Sequence, residues 1–210
     1  MAFRAVIFDL GGVVFPSPFE AFDTYDHGNS LKKGTMRALI RRSSETGAWA
    51  ALERGELDMD EFVAALEAEA LAAGFRLDAR RLMDLIGSSL GPRPQMAGAI
   101  AQIRSSGLRT AALTNNWADE TRRSTASGLR KTGLFDVIVE SAVEGLRKPD
   151  PRIYTLALAR LDVLASETVY LDDLGMNLRP ARDMGMATIK VVDPDVALAE
   201  LESILGLVLR

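Results

Sequence analysis

The chain has 210 residues, 48% of them hydrophobic and 26% charged, which is enough for one good core or a core with a small appendage. A formal net charge of -4 argues against a nucleic-acid surface, and the absence of cysteine excludes disulfides, thiolate nucleophiles and cysteine metal sites. No apolar run is long enough to cross a bilayer, and the first strand begins too soon for a basic-then-apolar leader, so no membrane partner and a cytoplasmic location are expected.

The first predicted element is a strand, Ala5-Val6-Ile7-Phe8, which runs into Asp9-Leu10-Gly11-Gly12-Val13-Val14. A short apolar run reads as a buried parallel strand. An acid at its carboxyl end lies where open α/β sheets bind ligands, and a glycine pair lets the backbone turn and approach a bound group. Asp9 is therefore a candidate nucleophile or metal ligand, or simply the residue that ends a strand.

Phe15-Pro16-Ser17-Pro18 and the polar stretch to Ser30 read as loop. From Leu31 to Leu90 the spacing predicts helices, built on Met36, Leu39 and Ile40, then on Ala48, Trp49, Leu52 and Leu57. A third follows Asp60 as its cap and carries Phe62, Val63 and Leu66; a fourth carries Leu82, Leu85 and Ile86. Residues 15–91 thus form a small all-helical unit inserted after the first strand, and residues 1–14 and 92–210 form the core.

Gly91-Pro92-Arg93-Pro94 opens a helix with Met96, Ile100 and Ile103, which Gly107 ends. Thr110 to Leu113 is the second strand, leading into Thr114-Asn115-Asn116, and a polar helix follows to about Lys131. Asp136 to Val139 is the third strand. After the loop Arg147-Lys148-Pro149-Asp150-Pro151 comes a helix with Ile153, Leu156 and Leu158. The fourth strand, Thr168 to Leu171, ends in Asp172-Asp173, and a short helix from Asn177 to Met184 stops at Gly185. Ala187 to Val192 is the fifth strand, and Asp193-Pro194 caps a last helix with Val196, Leu198, Leu201 and Ile204. Strands alternating with helices predict an α/β fold with a parallel sheet and right-handed crossovers.

In such a sheet Asp9, Thr114-Asn115 and Asp172-Asp173, with Asn177 beyond, lie along one edge, and Lys148 sits in a loop. Carboxylates from two strands suit a hard cation, Mg²⁺ above others. A hydroxyl, an amide and a lysine suit phosphate oxygens. Together they are the kit for phosphoryl transfer. Singly, each has a plainer explanation: a helix-capping acid pair, a turn, a solvated lysine.

Val6-Ile7-Phe8-Asp9-Leu10-Gly11-Gly12-Val13, Leu113-Thr114-Asn115, Arg147-Lys148-Pro149 and Leu171-Asp172-Asp173-Leu174-Gly175-Met176-Asn177 resemble the four signature motifs of the haloacid dehalogenase superfamily. Thr114-Asn115-Asn116-Trp117 and the run from Asp172 to Gly185 are similar to the amino-terminal phosphatase domain of soluble epoxide hydrolase and its stand-alone relatives. The resemblance implies a Rossmann-like core with a central first strand, and a helical cap. It implies a small phosphorylated substrate and Mg²⁺ held by Asp9, Asp173 and the Gly11 carbonyl. Asp9 would be the nucleophile that forms an aspartyl-phosphate. Thr114, Asn115 and Lys148 would hold the phosphate beside Gly11 and Gly12, and Asp172 and Asn177 would order the metal's ligands.

The chain departs from that pattern at Gly11, where phosphatases of the superfamily usually carry a second aspartate that protonates the leaving alcohol. General acid–base catalysis contributes about 10²–10⁴ in rate, so ordinary phosphomonoesters should turn over slowly. Three readings follow. The substrate has an acidic leaving group, such as an anomeric or acyl phosphate. Another group substitutes, with Glu20, Asp23, Asp26 and His27 in the loop after the first strand as candidates. Or the domain binds phosphate or metal without catalysis. A dehalogenase ranks behind these, because metal-free chemistry has no need of Asp172-Asp173.

Overall fold

A computed structural model describes residues 2–42, 44–88, 91–118 and 126–209. Among them, five strands form one parallel sheet in the order β3-β2-β1-β4-β5. They are β1 (Ala5–Phe8), β2 (Arg109–Thr114), β3 (Val137–Glu140), β4 (Thr168–Asp172) and β5 (Ala187–Lys190). The apolar run of β1 is buried throughout and takes the central place, with Phe8 opposite Ala112 of β2 and Leu171 of β4. Asp9 continues that register by donating its N–H to Leu171 O at 2.9 Å. Its side chain therefore emerges between the carboxyl ends of β2 and β4.

Period-two alternation divides the β1 side chains between two cores. Val6 and Phe8 pack with Met96, Ile100 and Leu198, which belong to α6 (Pro94–Ser105) and α11 (Pro194–Leu205). Ala5 and Ile7 pack with Ile153, Tyr154 and Leu178, which belong to α9 (Pro151–Leu161) and α10 (Gly175–Asp183). Prolines in the first turn open α6, α9 and α11, where a missing N–H costs no hydrogen bond.

Between β1 and α6 lie five helices with a third apolar core of their own. They are α1 (Pro18–Gly28), α2 (Thr35–Arg42), α3 (Ala48–Glu53), α4 (Met59–Ala72) and α5 (Ala79–Ser88). Phe22, Trp49, Phe62, Leu66 and Leu82 are its large buried members, with three edge-on aromatic contacts of Trp49, to Phe22, Phe62 and Trp117. Trp117 comes from the loop after β2, so this helical lobe rests on the sheet's carboxyl edge.

Several elements differ from the sequence expectations. The stretch to Ser30 is mostly the helix α1, not loop. Ser17 caps it by accepting from Phe19 N–H, Pro18 starts it, and Ala21, Phe22 and Tyr25 bury one face. The cap of α4 is Asp58 rather than Asp60, in a reciprocal capping box with Glu61. A four-residue helix, α8 (Ser141–Glu144), follows β3. The helix α10 starts at Gly175, and β5 stops at Lys190. Of the polar helix expected up to Lys131, α7 (Ser127–Thr132) is present and residues 119–125 lie outside the described residues. No described helix is long and apolar enough to cross a membrane.

Candidate active site

Three carboxylates meet at the carboxyl edge of β1 and β4. Asp9, Asp172 and Asp173 each place an oxygen within 4.8 Å of the others. The Lys148 ammonium, 1% exposed, reaches them from the loop before α9 and lies 2.8 Å from both Asp9 Oδ1 and Asp172 Oδ2. Asp9 Oδ1 also accepts the N–H of Leu10 at 2.7 Å, and Oδ2 has no hydrogen-bond partner among the described residues. Asp172 is saturated. It accepts from Leu174 N–H (2.8 Å), Asn177 Nδ2 (3.1 Å), Lys148 Nζ and the Tyr170 hydroxyl. Asn177 is in turn held through its carbonyl, which accepts from the Tyr154 hydroxyl at 2.7 Å.

One buried ammonium, Lys148, serves three buried or half-buried carboxylates, with the exposed Lys190 acting on Asp173 alone, and the electrostatics follow from that mismatch. Burial pushes the Asp9 carboxyl well above the usual range; Lys148 opposes the shift, and Asp172 and Asp173 add to it. Burial and then Asp172 push Asp173 up to about 6. Burial alone would lower the Lys148 pKa, but Asp172 and Asp9 outweigh it and raise it, so the ammonium stays charged. The excess negative charge, with Asp9 and Asp173 not saturated, fits a divalent cation.

The loop after β1 supplies further groups. Phe15 N–H donates to Leu10 O at 2.7 Å and Gly12 N–H to Phe15 O at 3.0 Å, which closes a tight turn around Gly11. The N–H and C=O of Gly11 are left without a partner among the described residues. The Gly11 carbonyl is thus available as an oxygen ligand beside Asp9. Gly12 has φ +84°, and a Cβ there would lie 2.6 Å from Asp173 Cγ. Only glycine lets the loop turn and lets the Asp173 carboxylate lie against it.

Gly11 and Thr114-Asn115 line a cavity of about 80 Å³ whose remaining wall includes Phe15, which packs on the sheet core, Pro18, Ala21 and Ile86 from the lobe side, and Trp117. The main-chain N–H of Asn115 has no partner among the described residues. Its side chain is committed elsewhere: Nδ2 donates to Lys148 O at 3.1 Å and to Glu53 Oε2 at 3.3 Å, and Oδ1 accepts from Lys148 N–H at 2.8 Å. Asn115 can therefore offer an anion its backbone, not its amide side chain. Gly12 N–H is likewise turned into the loop.

No titratable side chain lines the cavity among the described residues. The substitute acids considered from sequence are engaged elsewhere. Asp23 pairs with Arg37 at 2.9 Å, and Glu20 lies 3.6 Å from Arg93. Asp26 is buried, accepting from Gly34 N–H and Met36 N–H, and His27 is exposed near the end of α1. Two residues that sequence reasoning missed do touch the site: Tyr170, whose alternation in β4 points it at Asp172, and Glu53, which contacts Asn115.

The haloacid dehalogenase-like hydrolase family matches residues 3–185. Acyl-CoA dehydrogenase family member 10 of Mus musculus is 40% identical over 210 residues, which is 98% of this chain and 19% of that protein. Bifunctional epoxide hydrolase 2 of Sus scrofa is 34% identical over 218 residues, 98% of this chain and 39% of that protein. The chain thus spans well under half the length of both. The sesquiterpene phosphatase astK of Aspergillus oryzae is 31% identical over 209 residues and is covered over 97% of each. A dehalogenase crystal structure shares the fold with a TM-score of 0.68 at 21% identity, covering 98% of both chains. A family enzyme of Bacteroides thetaiotaomicron, solved with magnesium and inorganic phosphate, shares it with a TM-score of 0.61 at 17% identity, over 91% of this chain and 96% of that one.

Proposed function

The chain belongs to the haloacid dehalogenase-like hydrolases, and we propose that within them it is a Mg²⁺-dependent phosphatase acting through an aspartyl-phosphate on a small phosphorylated metabolite. The observation that carries this reading is the cluster of Asp9, Asp172 and Asp173 around one lysine, beside two unpartnered backbone N–H groups. Carboxylates and a main-chain carbonyl are hard oxygen donors, so Asp9, Asp173 and Gly11 would hold Mg²⁺. Bound there, the ion would offset phosphoryl charge as a Lewis acid.

The chain's own groups divide the remaining work. Leu10 N–H and Lys148 anchor Asp9 Oδ1, which leaves Oδ2 to attack phosphorus. The new bond joins Asp9 to phosphorus, and the leaving group departs with the electron pair of the broken P–O bond. Gly11 N–H, Asn115 N–H and the Thr114 hydroxyl, which without phosphate donates to Asn115 O at 3.3 Å, would receive the phosphoryl oxygens, and Lys148 would balance the added charge. Asp172, saturated by its four donors, fixes Lys148 rather than reacting. Water then attacks phosphorus, the bond between Asp9 and phosphorus breaks with its electron pair returning to the Asp9 carboxylate, and the water's proton leaves on the phosphate or to solvent.

Among the described residues no acid lines the cavity beside Gly11, which favours a substrate whose leaving group is already acidic and an activity that is weak or narrow on alkyl esters. The small apolar cavity and the lobe above it favour a small substrate, with the lobe as the cap that excludes water. The test is a comparison of acyl, anomeric, aryl and alkyl phosphates with and without Mg²⁺, together with trapping of the phosphoenzyme. The expected result is Mg²⁺-dependent turnover that falls steeply as the leaving group becomes more basic. Should neither phosphoenzyme nor acyl phosphate turnover be found while phosphate and Mg²⁺ still bind, the protein is a silent phosphate-binding module.

A further inference from the structure

The lobe reaches the phosphate-facing loops through one carboxylate. Glu53, at the last turn of α3, is 7% exposed. Its Oε1 accepts from the Trp49 indole at 2.8 Å. Its Oε2 accepts from Arg147 Nε at 2.8 Å and from Asn115 Nδ2 at 3.3 Å, and lies 2.6 Å from Arg147 Nη2 in an ion pair. Arg147 also donates to Ser44 O at 2.6 Å, so both ends of this pair are tied into the lobe. A second docking point adjoins it: Gly55, at φ +70°, lies so close to Ala142 O that a Cβ would come within 2.6 Å.

Two of the three partners of Glu53, Asn115 and Arg147, adjoin the site's donors. The Asn115 amide exchanges two hydrogen bonds with the peptide groups of Lys148, which locks the loop after β2 to the loop before α9. From that locked start the Lys148 side chain runs to Asp9 and Asp172. Arg147 is the residue next to Lys148, and its half-buried guanidinium is held in place by the Glu53 carboxylate. If the lobe lifts, Asn115 loses one of its bonds and Arg147 loses its carboxylate in the same movement.

We propose that Glu53 is a positioning residue, reaching from the helical lobe to hold Asn115 and Arg147 so that the Asn115 N–H and the Lys148 ammonium are set for phosphate only while the lobe is docked. The kinetic consequence rests on the phosphatase reading; the brace itself does not. Outer contacts of this kind typically contribute about 10–100-fold.

The test reads inorganic phosphate affinity in the presence of Mg²⁺, the side-chain amide resonance of Asn115 and the melting temperature, with kcat and KM alongside. Glu53→Gln should shift the Asn115 amide resonance and weaken phosphate binding about tenfold. In an Asn115→Ala background the same change should alter phosphate affinity less than about twofold, because the two act as a unit. Tighter phosphate binding in Glu53→Gln would mean a charge effect only and would overturn the proposal. A lower melting temperature with unchanged phosphate affinity and an unmoved Asn115 resonance would mean a structural role only and would overturn it too. If Glu53→Gln does not fold because Arg147 is left unpaired, Glu53→Gln with Arg147→Gln removes both charges and should show the same loss of affinity. A wild type that turns over nothing would sink the phosphatase reading, while the binding and resonance arms would still decide the brace.

Discussion

Replacing Gly11 by aspartate tests the missing acid directly, and the structure says the change is sterically modest. Gly11 lies outside the left-handed region, unlike Gly12. A Cβ at Gly11 would meet Pro18 Cδ at 3.3 Å and Cγ at 3.9 Å and nothing else within 4 Å, so Pro18 must give by a few tenths of an ångström. That overpacking costs about 1 kcal/mol at most. Removing glycine's freedom from the unfolded chain offsets about 0.4–1 kcal/mol of it. With Mg²⁺ present the Gly11→Asp protein should therefore melt within a few degrees of wild type, whereas in chelator the added carboxylate beside Asp9, Asp172 and Asp173 should lower its melting temperature. On the rate side, one acid that protonates the leaving oxygen and then deprotonates the attacking water is worth about 10²–10⁴. The gain should fall on alkyl phosphates, where the leaving alkoxide is most basic, and be small for aryl or acyl phosphates. Rapid-quench kinetics with an aryl phosphate should show a burst and slow turnover in wild type, as the phosphoenzyme waits for a base, and no burst in Gly11→Asp. A folded variant that speeds aryl and alkyl esters equally, or neither, would refute the reasoning, because proton supply would not be what limits the enzyme.

Three further outcomes follow from the same geometry. Asp173→Ala should abolish Mg²⁺-dependent activity, yet melt no lower than wild type in chelator, since it relieves a carboxylate from a cluster with one lysine; activity and calorimetry check both. Gly12→Ala combines a positive φ with a collision at Asp173 and should cost about 1–3 kcal/mol, with weaker Mg²⁺ binding in isothermal titration because Asp173 is displaced. Asp136, at the start of β3, has a lowered pKa: burial would raise it, but the Thr110 N–H and Arg104 outweigh burial. Its stabilisation is full above the unfolded value of about 4 and is lost as pH falls through the lower folded value, so denaturant titrations should show Asp136→Asn about 1 kcal/mol less stable near pH 7, with the gap closing under acid conditions.

The parts of the fold that were legible in the sequence are those where one local rule decides the outcome. The apolar run of β1 ends at Asp9, where the strand reaches the sheet's carboxyl edge and a carboxylate finds Lys148 and the Leu10 N–H as partners, and parallel order follows from alternation with helices. The helix α1 was not legible because Pro16, Pro18 and the polar residues to Ser30 read as turn chemistry. Its evidence was a sparse stripe of Ala21, Phe22 and Tyr25 behind a serine cap. The capping box of α4 was present as Asp58-x-x-Glu61, and Asp60 within it diverted attention from the true cap. At the site, the acids, Thr114 and Lys148 could be found by type and order along the chain. What Asn115 does could not, because its side-chain partners, Lys148 and Glu53, are 33 and 62 residues away in sequence. Tyr170 looked like an ordinary strand residue; only the alternation of β4 places its hydroxyl two residues along, against Asp172.

If the phosphatase reading holds, the arrangement separates two tasks. The groups assigned to the phosphoryl end come from a strand end or the loop beside it: Asp9, Gly11, Thr114, the Asn115 N–H and Lys148. Those groups are held by the rigid sheet and by mutual hydrogen bonds, so their geometry does not depend on what is esterified to phosphate. The leaving-group end is walled by Phe15, Pro18, Ala21 and Ile86, on or beside helices with their own core. Changes in that wall can redirect substrate choice without disturbing phosphoryl chemistry, as long as the lobe still docks. Among the described residues that wall carries no titratable side chain, which accords with glycine at position 11. Where the leaving group supplies its own acidity, an aspartate there would only place another carboxylate beside three that already share one lysine.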